Sequence, residues 1–277
     1  MTTLWIFVNI RAISCRVKNF LARDQSMLTT ERKALIQQVL RRDGRLIAKT
    51  FSHELGVSED TIRRDLRELA SEGLLQRVHG GALPASPATA DFAARQVSGV
   101  SAKARLGRVA ARLIQPGQIV FIDGGTTNVQ VARHLPLDLE ATIVTHSPSI
   151  AVELANHPLV DVELIGGRIF KHSVVAVGAA SAEAISRIRV DIFFMGVTGL
   201  HPDTGATTGD SEEAAIKRLV AAQSAETIVL ATADKLGAAS PYKIVPLTDI
   251  STLVTENEIS DDILKPFTGN STTIVKS

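Results

Sequence analysis

Cysteine and aromatic residues are scarce in this sequence. Cys15 is the single cysteine among 277 residues, and the chain has one tryptophan and one tyrosine. A lone cysteine cannot form an internal disulfide, and without further thiolates no structural zinc site is expected. The apolar run from Leu4 to Val8 is far shorter than the ~20 residues that a membrane-spanning helix needs. These absences predict a cytoplasmic protein with no membrane segment and no zinc site. No other metal and no cofactor are expected.

Positive and negative charges nearly cancel, but they are unevenly distributed. The chain has 30 Lys and Arg against 29 Asp and Glu, which gives a net charge of +1. Arginines cluster between Arg41 and Arg77, whereas acidic stretches occur later, around Asp210 and Asp261. A basic N-terminal part before a more acidic body is typical of a DNA-binding segment joined to a sensor.

Pro, Ala and Ser dominate the segment from Leu83 to Ala90, which predicts a linker between two domains. Met27 directly precedes the first helical pattern and reads as a natural start. The residues before it are therefore expected to be an upstream-start extension, and the alternative is a short accessory helix. The predicted organisation is an extension over 1–26, a DNA-binding domain over 27–82, a linker over 83–100, an effector-binding domain over 101–260 and a C-terminal tail over 261–277.

Three short amphipathic helices are predicted in the first domain. The first spans 31–42, after a threonine N-cap at position 29 or 30 and before Gly44. The second ends at Gly56, and the third follows an N-cap at Ser58. The apolar positions expected to face a common core are Leu35, Ile36, Val39 and Leu40 in the first helix, Ile47, Phe51 and Leu55 in the second, and Ile62, Leu66 and Leu69 in the third.

The third helix leaves its arginines on the outer side, directly after a short glycine-containing turn. This is the arrangement of a helix-turn-helix, whose second helix enters the DNA major groove. Residues 74–82 are typical of a strand, a turn and a partial strand, which together form a wing. On an isolated helix, three arginines are more often only a solvated face, so the interpretation depends on the whole pattern. The residues predicted to contact double-stranded DNA are Ser58, Glu59, Thr61, Arg63, Arg64 and Arg67 in the helix and Arg77 and His79 in the wing.

Beyond the linker, short β-branched runs alternate with helical segments, which predicts a parallel sheet with crossover helices. The predicted strands, after a helix from Lys103 to Ile114, are Ile119 to Ile122, Thr142 to Val144, Val160 to Ile165, Val190 to Met195 and Thr227 to Leu230. Ligands of such sheets bind at the carboxyl ends of the strands. Asp123 to Thr127 follows the first strand with two glycines and two hydroxyls before a helix, which favours a phosphate site, although a plain turn has the same composition.

Polar residues and glycines also follow the other predicted strands. For any one of them alone, a loop or an ion pair explains the residue as well as a ligand does. Because the carboxyl ends of parallel strands meet at one edge of a sheet, we expect these residues to form one site. The candidate effector-binding residues are Asp123, Gly124, Gly125, Thr126, Thr127, His146, Ser147, Gly167, Arg168, Asp210, Glu212, Lys217 and Lys235.

The segment from Ser58 through Thr61-Ile62-Arg63-Arg64-Asp65-Leu66 to Arg77-Val78-His79-Gly80-Gly81-Ala82 resembles the DNA-binding signature of the DeoR family of bacterial transcriptional regulators. The resemblance runs from about Thr29 to Glu256. It implies an α/β protein in which an N-terminal winged helix-turn-helix precedes a larger Rossmann-like parallel domain similar to ribose-phosphate isomerases. It also implies a homodimer or homotetramer that represses a sugar-catabolism operon until a phosphorylated sugar binds. Asp65 is expected to orient an arginine or to cap a neighbouring helix.

The same resemblance implies that the loop from Asp123 to Thr127 and Ser147 hold phosphate, while Asp210, Glu212, Lys217 and Lys235 lie at a sugar pocket. Two positions depart from the family pattern. His146 stands where the family often has Asn, and Ala233-Asp234-Lys235-Leu236-Gly237 replaces the more usual Asp-x-Ser-Lys-Phe-Gly. These departures leave the identity of the sugar and the role of Asp234 open. The alternative function is a sugar-phosphate isomerase with an accessory head, in which carboxylates and Lys235 transfer protons.

Overall fold

The computed structural model describes residues 28–86, 91–268 and 272–277. The predicted extension over 1–26 and the middle of the predicted linker lie outside these ranges. The described chain begins with a head of helices and short strands. They are helix α1 (Thr29–Asp43), strand β1 (Leu46–Ile47), helices α2 (Ala48–Leu55) and α3 (Glu59–Ser71), and strands β2 (Leu75–Val78) and β3 (Gly81–Pro84).

One apolar core holds the head together beneath an antiparallel sheet in the order β1-β3-β2. Ile36, Ile62 and Leu69 lie at its centre and are at most 1% exposed. Helices α1 and α2 both end at a glycine with positive φ, Gly44 (φ 68) and Gly56 (φ 65). Glycine adopts this left-handed conformation without a Cβ clash, so it ends a helix at low cost. Both predicted helix ends are confirmed.

Two details of the predicted head are wrong. Leu28, and not a threonine, is the N-cap of α1, and its amide donates to the Glu31 carboxylate at 3.4 Å. Ile47 lies in β1 opposite Gly81 and is 51% exposed, so it does not belong to the buried face of α2. A strand of two residues is too short to show the alternating pattern that identifies strands in a sequence.

The body alternates strands and helices along the chain. Its elements are α4 (Phe92–Val97), α5 (Val100–Ala111), β4 (Ile119–Ile122), α6 (Thr126–Arg133), β5 (Ala141–Thr145), α7 (Pro148–Leu154), β6 (Val160–Leu164), β7 (Arg168–Phe170), β8 (Val175–Val177), α8 (Ala179–Ser186), β9 (Val190–Met195), β10 (Gly199–His201), β11 (Gly205–Thr208), α9 (Ser211–Ala222), β12 (Ser224–Leu230), β13 (Tyr242–Lys243), β14 (Thr252–Thr255), α10 (Asp261–Leu264) and β15 (Thr273–Lys276). Within the part of the chain that the structure describes, no helix is both long and apolar enough to cross a bilayer.

Seven strands of the body form one parallel sheet in the order β15-β14-β12-β9-β4-β5-β6. Successive residues of β4 point to opposite faces of this sheet. Val120 and Ile122 pack with residues of α5, α6 and α7, whereas Phe121 packs with residues of α8 and α9. The predicted parallel sheet with covering helices is confirmed, and the carboxyl ends of its strands lie along one edge.

The structure corrects the predicted bounds at both ends of the body. Strands β4 and β9 have the predicted limits, but β14 and β15 were not predicted. Strand β15 pairs with β14 from Thr273 to Lys276, so part of the predicted tail completes the sheet. Leu83 and Pro84, which composition assigns to the linker, are the end of β3, and Leu83 is only 3% exposed.

The end of β3 continues directly into contact with the body. The Ala239 amide donates to the Pro84 carbonyl and the Ser86 amide donates to the Ala239 carbonyl, both at 3.2 Å. The Ser86 hydroxyl donates to the Thr198 carbonyl at 2.6 Å. A cavity of about 440 Å³ lies beside these bonds, here called the junction cavity, and its lining includes Ala70, Leu75, Gln76, Phe170, His172 and Thr198. Head and body are therefore joined by backbone and side-chain hydrogen bonds as well as by the chain itself.

Candidate DNA-binding helix and ligand cavity

The exposed side of α3 carries the predicted DNA-contacting arginines Arg63, Arg64 and Arg67. The N-cap prediction is confirmed, because the Ser58 hydroxyl accepts the Thr61 amide at 3.1 Å. Glu59 pairs with Arg63 at 2.7 Å one turn further along the helix. This contact holds one guanidinium on the surface of the helix when no other acceptor is present.

A buried ion pair anchors α3 to α1. The Asp65 carboxylate accepts two hydrogen bonds from the Arg32 guanidinium, from Nε and, at 2.9 Å, from Nη2. The two side chains are 2% and 9% exposed, and the bonds to Asp65 raise the pKa of Arg32. Asp65 thus orients an arginine, as its place in the signature predicts. Arg32 itself is buried, although it is not one of the apolar positions by which the sequence identifies the buried face of α1.

Arg77 and His79 are exposed at the wing, at the end of β2 and in the turn before β3. Gly80 has φ 77, which a tight turn requires. At Gly81 a Cβ atom would lie 1.8 Å from the Leu46 carbonyl oxygen, so only glycine lets β3 approach β1 this closely. The wing is thereby fixed against the helices while its two basic side chains remain accessible.

A second cavity, also of about 440 Å³, opens at the carboxyl edge of the parallel sheet and is here called the sheet-edge cavity. The loops that follow β4, β9 and β12 form much of its wall, together with α4, α5 and α9. It gathers six of the predicted effector-binding residues, which are Gly124, Gly125, Thr126, Thr127, Lys217 and Lys235. The position matches the general rule for ligands of open parallel sheets.

Two glycines and two threonines shape one wall of this cavity. At Gly124 a Cβ would lie 2.2 Å from the Val175 side chain, and Gly125 has φ 121. Helix α6 then starts at Thr126, and the first amides of a helix have no acceptor within it. The Thr127 hydroxyl is buried and has no hydrogen-bond partner among the described residues. Because an unpaired buried hydroxyl costs free energy, this group and the helix amides suit an anionic ligand such as phosphate.

Asp123 lies behind this wall in a buried network. Its carboxylate accepts hydrogen bonds from Lys217 Nζ at 2.5 Å and from the Gly196 amide at 2.8 Å. His146 Nε2 is 2.7 Å from the other carboxylate oxygen, and its Nδ1 is 2.7 Å from the Ala176 carbonyl. Both contacts are hydrogen bonds when both ring nitrogens carry a hydrogen. Burial alone would raise the pKa of Asp123, but Lys217 and His146 outweigh it and lower the pKa to about 2.

This network fixes the position of Lys217. Its ammonium also donates to the Gly196 carbonyl at 2.8 Å and lies 3.3 Å from Glu213. Burial alone would lower the pKa of Lys217, but Asp123 and Glu213 raise it above its usual value. Lys217 is therefore a fixed positive charge at the base of the cavity, already paired with carboxylates.

Three other cations line the sheet-edge cavity without a carboxylate at ion-pair distance among the described residues, namely Arg95, Lys103 and Lys235. Burial lowers the pKa of all three. The pKa of Lys235 falls to about 8, because the nearby charges of Arg95, Lys103 and Lys217 add to the effect of burial and only Asp234 opposes it. A cavity whose cations lower the pKa of a neighbouring lysine favours an anionic ligand.

The remaining predicted effector residues lie outside the lining of this cavity. Asp210 is the N-cap of α9, and Arg168 and Glu212 form an ion pair on the surface, with side chains 63% and 49% exposed. Gly167 packs against α8, where a Cβ would lie 2.1 Å from the Ser181 hydroxyl. His146 and Ser147, like Asp123, are buried behind the wall. The structure thus assigns these residues structural contacts, and their role in effector binding stays a prediction.

Sequence reasoning missed Arg95, Lys103 and Glu213 as cavity residues. Glu213 carried a usable signal, since it precedes Lys217 by four positions, the spacing at which helical side chains meet. Arg95 and Lys103 carried none, because they lie before the first strand of the parallel sheet and reach the cavity only through the packing of α4 and α5. Only the three-dimensional structure, and no sequence motif, identifies Arg95 and Lys103 as cavity residues.

Comparison with known protein families covers both parts of the chain. Residues 32–88 match the family described as "DeoR-like helix-turn-helix domain", and residues 98–257 match the family described as "DeoR C terminal sensor domain". The first match spans most of the head, and the second spans most of the parallel sheet.

Individual proteins agree with these matches. The chain is 33% identical over 252 residues to "HTH-type transcriptional regulator GlpR" of Haloferax volcanii, covering 90% of this chain and 98% of the relative. It is 31% identical over 212 residues to the "Glycerol-3-phosphate regulon repressor" of Escherichia coli, covering 76% of this chain and 84% of the relative. Among solved structures, ribose 5-phosphate isomerase A from Methanocaldococcus jannaschii is similar over 50% of this chain and 55% of that chain, with 16% identity and a TM-score of 0.38. Both sequence relatives are regulators, so they support a regulator and not an isomerase with an accessory head.

Proposed function

The chain belongs to the DeoR family of DNA-binding transcriptional regulators, and from this premise we propose that it represses a sugar-catabolism operon until a phosphorylated sugar binds in the sheet-edge cavity. In this proposal the DNA-binding unit comprises residues 28–86 and the effector-binding unit comprises the body. The working form is a homodimer or homotetramer, because helix-turn-helix proteins read two half-sites about one helical turn apart.

The unpartnered Thr127 hydroxyl at the start of α6 carries the phosphate assignment. A phosphate oxygen placed there would accept this hydroxyl and the first amides of the helix, which are electropositive. Lys235, Lys103 and Arg95 line the same cavity and supply positive charge that the described carboxylates do not neutralise by direct pairing. The name of one relative, a glycerol-3-phosphate regulon repressor, supports a small phosphorylated metabolite.

Two carboxylates of the same cavity suit the hydroxyl groups of a sugar. Asp234 follows β12 and is exposed, and Glu256 follows β14 and accepts the Ala233 amide at 2.7 Å. Carboxylates accept hydrogen bonds from hydroxyls but repel phosphate, so they orient a ligand with one anionic end and one polyol end. This arrangement favours a sugar phosphate over a plain sugar or an inorganic anion.

The DNA side of the proposal assigns base reading to the N-terminal half of α3. Arg63 and Arg64 are exposed there and can form bidentate bonds with guanine in the major groove. The proposal gives Arg67, Arg77 and His79 contacts to DNA phosphates on either side. Ser58, Glu59 and Thr61 set the helix start and its nearest polar contacts.

The test is an electrophoretic mobility shift of the DNA upstream of the gene, with and without small phosphorylated metabolites. The first probes are glycerol 3-phosphate, fructose 1-phosphate and glucose 6-phosphate, and the controls are glycerol, fructose and glucose. We expect specific binding that weakens steeply with salt, because phosphate contacts release counterions. Release by one phosphorylated compound and not by its parent supports the proposal, whereas equal release by both refutes the phosphate assignment.

A further inference from the structure

Arg95 lies on α4, the first helix after the head. Asp91 caps the start of this helix by accepting a backbone amide at 2.9 Å. At its other end, Lys103 of α5 donates to the carbonyls of Arg95 and Ser98, each at 2.6 Å. The helix is therefore fixed at both ends, and its arginine is held at the wall of the sheet-edge cavity.

Hydrogen bonds to backbone carbonyls occupy the Arg95 guanidinium. It donates to the His172 carbonyl at 2.9 Å and to the Asp91 carbonyl at 3.3 Å, and no carboxylate among the described residues lies at ion-pair distance. Burial lowers the pKa of Arg95, although guanidinium groups stay charged in proteins. A partly buried guanidinium bonded only to neutral acceptors binds a phosphate more strongly, through two parallel charge-assisted bonds.

His172 belongs to the tip of the hairpin formed by β7 and β8, and this tip lies between the two cavities. Ser173 lines the sheet-edge cavity. His172 lines the junction cavity, whose lining also includes Leu75 and Gln76 of the head. Residues 171–174 are thus a part of the body that borders both the ligand site and the head, as do Thr198 and Glu213, which line both cavities.

The backbone of this tip is strained. Val174 has φ 54, a left-handed conformation that a β-branched side chain adopts only at a cost in free energy. Its amide donates to the Phe170 carbonyl at 2.9 Å, and its carbonyl accepts the Ser147 hydroxyl at 3.3 Å. The bond from Arg95 to the carbonyl of His172, two residues before Val174, adds to the contacts that hold this strained tip in place.

We propose that Arg95 binds the phosphate of the effector and, in doing so, gives up the His172 carbonyl and releases the hairpin tip beside the head. This inference rests on the proposed phosphate site at Thr126 and Thr127. Arg95 then gives up a hydrogen bond to a neutral carbonyl and forms one to a charged phosphate. The loss of the bond to His172 removes one contact that holds the strained tip. Because the tip borders the junction cavity, its movement alters the surface against which the head rests.

The first test compares Arg95→Gln with Arg108→Gln, an exposed arginine of α5, in the full chain. Calorimetric titration with glycerol 3-phosphate and with inorganic phosphate measures ligand binding, and the mobility shift measures DNA binding. Arg95→Gln should weaken phosphate binding by about tenfold or more, as expected for one charge-assisted contact. Because this variant has already lost the bond to the His172 carbonyl, its DNA affinity without ligand should shift toward that of the ligand-bound wild type. Arg108→Gln should change neither.

The second test follows amide hydrogen exchange at residues 171–174. In the wild type, exchange there should become faster when glycerol 3-phosphate is added. In Arg95→Gln it should be fast already without ligand and should not respond to it. Arg95→Lys keeps the charge but not the planar fork, so it should restore part of the phosphate affinity.

The outcomes separate this inference from the proposed function. The role of Arg95 is overturned if Arg95→Gln binds phosphate normally while the double variant Thr126→Ala, Thr127→Ala does not. The proposed phosphate site is supported by that result. Normal binding by both variants, or no binding of either probe by the wild type, overturns the phosphate site itself. Arg95→Gln could weaken phosphate binding while amide exchange at residues 171–174 of the wild type does not change when ligand is added. That result refutes the release of the hairpin tip.

Discussion

Replacing Asp65 by Asn should destabilise the head by about 3 kcal/mol. The substitution keeps the size of the side chain but removes the negative charge, so the buried Arg32 guanidinium loses its counter-ion. Breaking a buried ion pair by removing one partner costs about 3 to 5 kcal/mol. We expect the lower end, because the Arg32 side chain is still 9% exposed and its Nη2 lies 3.5 Å from the Thr29 hydroxyl. A loss of this size lowers the folding equilibrium constant of the head by about a hundredfold.

The assay must report on the head separately from the body, since two packed units need not unfold together. Amide hydrogen exchange of α1 and α3 gives the local free energy of opening, and urea unfolding followed by circular dichroism gives the global transition. DNA affinity should fall with the folded fraction of the head, because α3 must be in place to enter the groove. The matched control is Glu59→Gln, which breaks an exposed pair on the same helix and should cost at most about 1 kcal/mol.

A double variant shows whether the cost comes from the uncompensated charge. Replacing Arg32 by Met and Asp65 by Leu removes both charges and fills similar volume, so it should recover most of the lost stability. Unchanged exchange in α1 and α3 of Asp65→Asn would refute the argument that this pair holds the recognition helix. Equal destabilisation by the single and double variants would show that packing, and not charge, determines the effect.

Three further predictions concern DNA, ligand and pH. Replacing Arg63 or Arg64 by Ala should weaken operator binding by about 1 to 3 kcal/mol and relax base selectivity, measured by mobility shift with single-base operator variants. Thr126→Ala combined with Thr127→Ala should bind operator like the wild type but fail to release it in a sugar-phosphate titration, and a normal release curve from the folded variant would contradict this. The pKa of Lys235 is about 8, so this side chain loses its positive charge as the pH rises through 8. The charge of a phosphate group is constant above about pH 7. The affinity of the protein for phosphate should therefore fall between pH 7 and pH 9. Lys235→Arg should keep that affinity constant over the same range, as measured by calorimetric titration.

Local sequence patterns predicted the parts of the fold that depend on local physics. Helix α3 was predicted from its N-cap Ser58 and its buried stripe, and both are confirmed. Strands β4 and β9 were predicted with their observed limits, because short β-branched runs that alternate with helical segments are typical of parallel strands. The helix start after the glycine-rich turn that follows β4 was also predicted from neighbouring residues, because two glycines and two hydroxyls precede it directly. The role of this turn as a phosphate site stays a prediction.

Features that depend on distant partners were not predictable in this way. Arg32 resembles a solvated helix residue until α3 brings Asp65, 33 positions away, against it. Strand β15 is a short segment in an otherwise unpatterned tail, and it forms a strand because β14 offers it a free edge. Arg95 and Lys103 join the ligand cavity only because α4 and α5 pack beside the strand ends. In each case the decisive neighbour lies outside any local window.

The contacts between head and body decide how a ligand can act on DNA binding. A ligand releases DNA only to the extent that it binds the DNA-free arrangement more tightly, and DNA must then weaken ligand binding by the same factor. If the head were joined to the body only by a flexible linker, the ligand affinity would not depend on the position of the head, because no residue near the ligand would contact the head. Here the Ser86 hydroxyl bonds to the carbonyl of Thr198, a residue that lines both the sheet-edge cavity and the junction cavity. A ligand that shifts the loop at Thr198 or the hairpin tip held by Arg95 therefore changes contacts on which the head depends, and bound DNA, by holding the head in place, opposes the same shift.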